Sequence, residues 1–255
     1  MKPYFESDIS VEQSQELELL GLQVTTGRPQ YEGYPRQKIL AAVGFESETT
    51  PTFPDGPWCA SVDQLPTESE QRLFVQGGYL LDKLGRPIHP WIGKMLTDKS
   101  LGVITNKGFY RKWGPNRTGD PIIISNEVNP RIALVLRSDN RKWALAGGFV
   151  DPADGTDPVQ AGIKAAVREG WEELGLEEIF NLQPTIIYQG PVDDPRATAH
   201  AWPETTAVLL RTRGASKLHP NREEVIDAGW FELNEIPKNL HGSHGFLIEQ
   251  TLKQI

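Results

Sequence analysis

The sequence predicts an α/β fold: an α/β/α sandwich built on a mixed β-sheet, preceded by a smaller and irregular N-terminal lobe. The main observation is that short β-type runs alternate with two helical segments from Pro121 onwards, which favours helices packed on a sheet. A second observation is that residues 22–120 hold many proline and glycine breakers and only short periodic segments. We therefore expect a cap-like lobe over residues 1–118 and the main domain over residues 119–255.

Composition limits the classes of function. The chain has 255 residues, of which 38% are hydrophobic and 24% charged, so it can bury a full core. The formal net charge of −8 argues against broad binding to nucleic acid or to anionic membranes. Cys59 is the only cysteine, which excludes an internal disulfide and a thiolate-rich metal site. No apolar run approaches the roughly 20 residues that span a bilayer.

The first elements of the chain are weakly marked. Ser10 and Gln13 fit a capping box, which predicts a helix that begins near Ser10. Residues 36–44 are expected to form a strand. The start of the chain carries Glu6 and Asp8 and lacks both a signal-peptide core and an Arg-rich transit pattern, so we expect a cytoplasmic protein.

The main domain carries clearer signals. The runs Pro121–Ile124 and Ile132–Leu136 predict two strands, and Ser138–Asn140 predicts the turn before a return strand over Trp143–Ala146. After a polar loop and a strong helix, the remaining expected elements are strands over Thr185–Gln189, Thr205–Thr212 and Gly229–Leu233 and a closing helix over Gly245–Lys253.

The strong helix is predicted over residues 158–175 and has both ends marked. Asp157 is suited to cap its first turn, Pro158 suits the first helical position, and Gly175 suits the C-terminal stop. Gly170 lies in the apolar stripe of this helix. It therefore indicates close packing against a strand, or else a loss of helix stability of about 1 kcal/mol.

Three glutamates lie beside that stripe. Glu169, Glu172 and Glu173 have i, i+3 and i+4 spacing, so their side chains share one patch at the C-terminal end of the helix. Mutual repulsion and the helix dipole both disfavour three carboxylates there, and Arg168 offsets this only in part through Glu172. A divalent cation would resolve the conflict, and oxygen ligands suit Mg²⁺ or Mn²⁺. A solvated acidic helix face is the alternative from spacing alone.

The context of the helix carries a family resemblance. Gly147-Gly148 precedes it, and the run Arg168-Glu169-Gly170-Trp171-Glu172-Glu173-Leu174-Gly175-Leu176 resembles the Nudix box, whose core is Arg-Glu-apolar-x-Glu-Glu-x-Gly-apolar. Two features depart from the family pattern. Gly170 replaces an apolar residue, and the loop after Gly148 is longer, so that Gln160 stands where a glutamate is usual when one counts back from Arg168.

Further strings resemble one branch of that family, the ADP-ribose pyrophosphatases related to the ADP-ribose-binding domain of a melastatin-type cation channel. The resemblance spans roughly residues 80–250. It is carried by Gly85-Arg86-Pro87, Arg111-Lys112-Trp113-Gly114-Pro115-Asn116, Asp120-Pro121, Tyr188 to Arg196, Ala201-Trp202, Glu204-Thr205 and Ser243-His244.

The resemblance implies Mg²⁺-dependent hydrolysis of ADP-ribose to AMP and ribose 5-phosphate by the main domain, with Mn²⁺ as a possible substitute. It implies metal binding by Glu169, Glu172 and Glu173. The implied substrate-binding residues are Trp113, Asn116, Gly148, Asp194, Arg196 and His244, with Arg196 on phosphate and Asp194 on ribose hydroxyls. Candidates for the base that activates water are His200, Glu204, Glu169 and Glu173. Arg168 is also expected to be a catalytic residue.

Several alternatives stay open at this point. Trp113 can instead be a core residue, Gly114–Asn116 a turn, and His244 a helix-start residue. The Asp193–Glu204 loop can be a polar surface turn. For the whole chain, the alternatives are a non-catalytic ADP-ribose sensor and a Nudix hydrolase of another nucleoside diphosphate derivative, such as NADH, a dinucleoside polyphosphate or a nucleotide sugar.

Overall fold

A computed structural model describes residues 65–81, 84–91, 107, 110, 112–194 and 197–255. The helix expected near Ser10 and the strand expected over residues 36–44 lie outside the described residues. None of the described helices is both long and apolar enough to cross a membrane. The cytoplasmic location stays a prediction.

The described elements follow the expected alternation of strands and helices. The helices are α1 (Glu68–Gln76), α2 (Pro158–Leu174) and α3 (His244–Leu252). The strands are β1 (Gly114–Ser125), β2 (Arg131–Arg137), β3 (Trp143–Ala144), β4 (Gly148–Phe149), β5 (Thr185–Pro191), β6 (Ala201–Thr212) and β7 (Val225–Glu232). Short 3-10 helices cover Pro152–Asp154 and Glu177–Asn181.

The strands form one mixed sheet. Its order is β3-β2-β1-β6-β5, with β4 paired to β1 and β7 paired to β2. The pairs β1–β2, β1–β4, β2–β3, β2–β7 and β5–β6 are antiparallel. Strands β1 and β6 run parallel, because Asp120 accepts a hydrogen bond from Thr205 and, further along both strands, the Asn126 amide bonds to the Thr212 carbonyl at 2.9 Å. The predicted mixed sheet is confirmed.

A hydrophobic core lies on each face of the sheet. On one face, Ile123 and Val208 pack with the stripe of α2 that includes Ala166 and Leu174. On the other face, Ile122 and Ile124 pack with Leu247 and Ile248 of α3, together with other buried residues. Burial of these side chains, at roughly 25 cal/mol per Å² of apolar surface, is the main stabilising contribution to the sandwich. The predicted α/β/α architecture is confirmed.

The expected elements are present, but some bounds differ. Strand β1 begins at Gly114 rather than Pro121, and β6 begins at Ala201 rather than Thr205. The return strand covers only Trp143–Ala144, and the predictions did not include α1. Gly114-Pro115 has turn-like composition, yet proline is tolerated close to the first residue of a strand, where a missing N–H costs little.

The described residues divide into two compact units. One contains the described residues up to Asn116 together with those of Asp194–Pro203, and the other contains Arg117–Asp193 and Glu204–Ile255. The lobe boundary at residue 118 stays a prediction. The first unit includes α1, whose N-terminus is closed by a capping box between Thr67 and Glu70.

Candidate functional site

Helix α2 carries the candidate site, and its ends are fixed by its own sequence. The Asp157 side chain accepts a hydrogen bond from the Gln160 amide at 2.8 Å, and Gly175 ends the helix in a left-handed conformation with φ of 65°. A Cβ at Gly170 would overlap Ile179 and crowd Pro121 and Ile123. The prediction that Gly170 marks close packing against a strand is therefore confirmed.

Arg168 connects four groups of the site through its guanidinium. Its Nη1 donates to Glu169 Oε1 at 2.7 Å and to Glu172 Oε2 at 2.8 Å, so two of the three clustered glutamates share one nitrogen. Its Nη2 donates to the Phe149 carbonyl at 2.9 Å and to Asp154 Oδ2 at 3.2 Å. These bonds fasten the C-terminal half of α2 to β4 and to the 3-10 turn that follows it.

Asp154 is a site residue that sequence reasoning missed. Its side chain is only 7% exposed, and it both pairs with Arg168 and accepts the Asp151 amide hydrogen bond at 2.8 Å. Counting back from Arg168 pointed instead to Gln160, which is exposed in the first turn of α2. When the position of the family glutamate is counted forward from Gly148 instead, it falls on Asp154. The two counts differ because the additional residues of the longer loop lie after the 3-10 turn. An acidic partner for Arg168 is thus present.

Two glycines leave room for acidic side chains of the chain itself. The Gly147 amide donates to Glu173 Oε2 at 3.0 Å. A Cβ at Gly148 would overlap the Glu169 carboxylate, and a Cβ at Gly147 would overlap Asp120 Oδ1. The substrate-binding role that the resemblance implies for Gly148 stays a prediction. The structure shows that the space above Gly148 is filled by Glu169, whose position requires a glycine there.

Burial raises the pKa of two of the glutamates. Burial raises the pKa of Glu173 to about 8, with a smaller contribution from the charge of Glu169, against the opposing Gly147 hydrogen bond. Burial likewise raises the pKa of Glu169 to about 7, although Arg168 opposes it. For Arg168, burial alone would lower the pKa, but bonds to Asp154, Glu169 and Glu172 raise it above its ordinary value, so it stays a cation.

Glu224 is a second residue that sequence reasoning missed. Its charge contributes to raising the pKa of both Glu169 and Glu173, which places it in the electrostatic environment of the cluster. It lies in the turn before β7, where its amide bonds to the Asn221 carbonyl at 3.1 Å and its own carbonyl accepts from Ser138. No sequence spacing relates this turn to α2, since the two are brought together only by the sheet.

The donor chemistry of the cluster fits a hard divalent cation. Glu169, Glu172 and Glu173 offer carboxylate oxygens, which Mg²⁺ and Mn²⁺ prefer. Buried carboxylates that repel one another are also the groups whose charge a cation would stabilise. Among the described residues, no three or more His, Cys, Asp or Glu side chains are already gathered around one point. Glu169 and Glu172 accept hydrogen bonds from Arg168, and Glu173 accepts one from the Gly147 amide.

The raised pKa values predict how pH changes the stability of the metal-free protein. Between pH 4.5, the ordinary value, and about 8, folded Glu173 keeps a proton that the unfolded chain has released, so the free energy of unfolding falls as pH rises through this window. We expect Glu173→Gln to reduce that fall by up to roughly 5 kcal/mol, since the pKa rises from 4.5 to about 8 and a pKa difference of one corresponds to about 1.4 kcal/mol. Urea unfolding in EDTA at several pH values measures it. Identical pH profiles for the two proteins would contradict the buried, protonated Glu173.

His244 lies at the first position of α3 and contacts the strand connection before the glycines. Its Nδ1 accepts a hydrogen bond from the Leu145 amide at 2.8 Å, so the neutral ring carries its proton on Nε2. The edge of the ring meets His241, which is itself bonded to Asn140. The structure thus gives His244 the helix-start role that the sequence allowed, and its stacking role stays a prediction.

Trp113, Asn116 and His200 are among the predicted site residues of the first compact unit. Trp113 is buried, with Lys107 above its ring at 5.2 Å and the buried His200 against its edge. The amide of Asn116 closes the turn that begins at Lys112: Nδ2 donates to the Lys112 and Gly114 carbonyls, and Oδ1 accepts from the Lys112 amide. These contacts are those of packing and turn-forming residues, and their roles toward a substrate or water remain predictions.

Of the remaining predicted residues, Asp194 and Arg196 lie in sequence between β5 and β6, and Glu204 lies in β6. The Asp194 carbonyl accepts the Ala197 amide at 2.9 Å, and Arg196 lies outside the described residues. Glu204 pairs with Pro191 across β5 and β6, and its charge contributes to raising the pKa of Tyr188.

Part of the chain is similar to known proteins. The family model described as NUDIX domain matches residues 115–250. A rat (Rattus norvegicus) ADP-ribose pyrophosphatase, described as mitochondrial, is 30% identical over 175 residues, which are 57% of this chain and 50% of the rat protein. A transient receptor potential cation channel subfamily M member-like 2 of Nematostella vectensis is 30% identical over 158 residues, which are 54% of this chain and 10% of the channel.

A solved NUDIX domain, that of Shewanella oneidensis NrtR complexed with ADP ribose, aligns with 55% of this chain and 88% of its own at 18% identity and a TM-score of 0.45. This chain spans about half the length of the rat relative and a tenth of that of the channel.

Proposed function

The chain belongs to the NUDIX domain family, and on that premise we propose that it hydrolyses the diphosphate bond of ADP-ribose to AMP and ribose 5-phosphate. The observation that carries the proposal is the acidic cluster of α2, in which Arg168 holds Glu169 and Glu172 while Gly147 holds Glu173. The similarity to an ADP-ribose pyrophosphatase supports the choice of substrate.

Hydrolysis of a diphosphate requires water to attack one phosphorus. A new P–O bond forms, the bridging P–O bond breaks, and the electron pair of that bond leaves with the departing phosphate. In ADP-ribose this divides the molecule into AMP and ribose 5-phosphate. The protein must remove a proton from the water and limit the repulsion between the diphosphate and its own carboxylates.

Glu169, Glu172 and Glu173 are the residues that would hold Mg²⁺ here. When bound, Mg²⁺ neutralises charge on the phosphate oxygens and on the leaving oxygen. Arg168 would keep Glu169 and Glu172 on one side of α2, where both carboxylates already share its Nη1. The Gly147 amide would keep Glu173 turned toward the glycine loop. This preorganisation lowers the cost of arranging the charges at the moment of reaction.

The proton of the attacking water needs a base with a pKa near the working pH. In the metal-free protein, burial raises the pKa of Glu169 to about 7 and that of Glu173 to about 8, so both carboxyl groups have raised proton affinity before Mg²⁺ binds. We propose Glu169 or Glu173 as this base when it is not engaged by Mg²⁺. His200 and Glu204 remain the alternatives.

The decisive experiment incubates the purified protein with Mg²⁺ and four substrates: ADP-ribose, NADH, a dinucleoside polyphosphate and a nucleotide sugar. We expect AMP and ribose 5-phosphate from ADP-ribose, a kcat/KM at least about tenfold above that of the others, and no turnover in EDTA. A higher kcat/KM on another substrate would move the assignment to that compound and reject ADP-ribose.

A non-catalytic ADP-ribose sensor is the second candidate function. The specific observation in its favour is the similarity to transient receptor potential channels, combined with a cluster whose carboxylates are engaged by Arg168 and Gly147. Calorimetry distinguishes the two candidates: a sensor binds ADP-ribose and releases no product with Mg²⁺ or Mn²⁺. Retention of Arg168, Glu169, Glu172 and Glu173 is the reason that we favour the enzyme.

A further inference from the structure

Two neighbouring strands change from apolar to polar side chains at the same level of the sheet. On β1, Ile122 and Ile124 face the α3 core, and Asp120 is the preceding residue on that face. On β6, Ala207 and Leu209 face the same core, and Thr205 precedes them on that face. Asp120 is 7% exposed and Thr205 is 2% exposed, so both polar groups are buried where an apolar pair would continue the core.

The two polar residues bond to each other. The Thr205 hydroxyl donates to Asp120 Oδ2 in a hydrogen bond that joins the parallel strands β1 and β6. Burying a carboxylate and a hydroxyl costs free energy that such a bond only offsets. The pair therefore calls for a reason beyond the stability of the core.

The second oxygen of Asp120 is in contact with the glycine loop. A Cβ at Gly147 would overlap Oδ1 of Asp120 and crowd the Gly119 carbonyl, so the Gly147 backbone lies directly against the carboxylate. The amide of the same Gly147 donates to Glu173 Oε2 at 3.0 Å. Thr205, Asp120, Gly147 and Glu173 thus form a continuous chain of contacts from the interior of the sheet to the acidic cluster.

We propose that Asp120, oriented by Thr205, is a positioning residue that sets the Gly147 backbone so that its amide holds the Glu173 carboxylate. The hydroxyl bond fixes the rotation of the Asp120 carboxylate, and the fixed carboxylate limits where Gly147 can lie. Displacing Gly147 would misdirect its N–H and free Glu173 to rotate. The consequence for turnover rests on the proposed function, whereas the positioning itself does not.

The test compares Thr205→Val with Thr212→Val. Both replace a buried threonine of β6 with a side chain of the same shape, but the Thr212 hydroxyl bonds to the Gly214 carbonyl at 3.0 Å, at the far end of the strand. The first readout is hydrogen exchange of the Gly147 amide by NMR, in EDTA and without substrate. We expect exchange roughly tenfold faster in Thr205→Val, and no change in Thr212→Val or in Thr205→Ser, which keeps the hydroxyl.

The second readout is turnover of ADP-ribose with Mg²⁺. We expect Thr205→Val to lower kcat about tenfold with little change in KM, because Glu173 would hold Mg²⁺ or accept the proton of the attacking water, and Thr205→Ser to restore kcat. Unchanged Gly147 exchange in Thr205→Val, or equal acceleration in Thr212→Val, would overturn the positioning role. Thr205→Ala repeats the measurement if valine prevents folding. If Gly147 exchange changes in the variants as expected but the wild-type protein does not hydrolyse ADP-ribose, the proposed function is rejected and the positioning role of Asp120 stands.

Discussion

Replacing Glu173 with glutamine is expected to lower kcat for ADP-ribose by about 10²- to 10³-fold, the usual loss when one electrostatic group is removed from a transition state. Glutamine keeps the size of the side chain and an oxygen for the Gly147 amide, so the fold is preserved. It removes the charge that would hold Mg²⁺ and the oxygen that would accept a proton. Steady-state kinetics over a range of Mg²⁺ concentrations measures the effect.

Glu249→Gln is the matched control for this substitution. Glu249 is a helical glutamate on α3 with a side chain that is 64% exposed, paired only at the surface with Lys253. Its replacement is expected to leave kcat unchanged and stability within about 0.5 kcal/mol. If Glu173→Gln retained wild-type turnover at saturating Mg²⁺ while remaining folded, Glu173 would have neither of its proposed roles.

Much of the fold could be predicted because local signals and packing agree in α2. The cap at Asp157, the stop at Gly175 and the tight contact of Gly170 were all predicted from residue type and spacing. The first residues of β1 and β6 were harder to predict. Gly114-Pro115, for example, has turn-like composition but belongs to β1, because pairing with neighbouring strands extends that strand. Helix α1 was missed although Thr67 and Glu70 form a recognisable capping box.

The acidic cluster was predicted only in part, for a physical reason. Spacing along one helix identified Glu169, Glu172 and Glu173, because neighbours at i+3 and i+4 share a face. Glu224 and Asp120 join the same region through the sheet, and no single-sequence period encodes a contact between distant strands. Asp154 could have been predicted from its spacing from Gly148. The additional loop residues, however, obscured its pairing with Arg168.

Arg168→Lys is expected to have the second large effect, although it conserves charge. The guanidinium binds Glu169, Glu172, Asp154 and the Phe149 carbonyl from two nitrogens, and a single lysine ammonium cannot reproduce that fork. We expect a loss of roughly 2 to 3 kcal/mol in the free energy of unfolding, because buried acceptors lose their donors. Turnover should fall about 10²-fold, since Glu169 and Glu172 lose their shared anchor.

Arg131→Lys separates this effect from the general cost of losing an arginine. Arg131 also makes a bidentate pair, with Glu127, but both side chains are about one-third exposed, at 38% and 33%. Solvent screens that pair, so its replacement should cost below about 1 kcal/mol and leave turnover unchanged. Equal losses of stability and turnover in the two variants would show that the ion pairs of Arg168 contribute no more than a solvent-exposed ion pair does. A large loss of turnover confined to Arg168→Lys, with Glu169 and Glu172 unaltered, would mean that the orientation of these carboxylates matters as much as their charge.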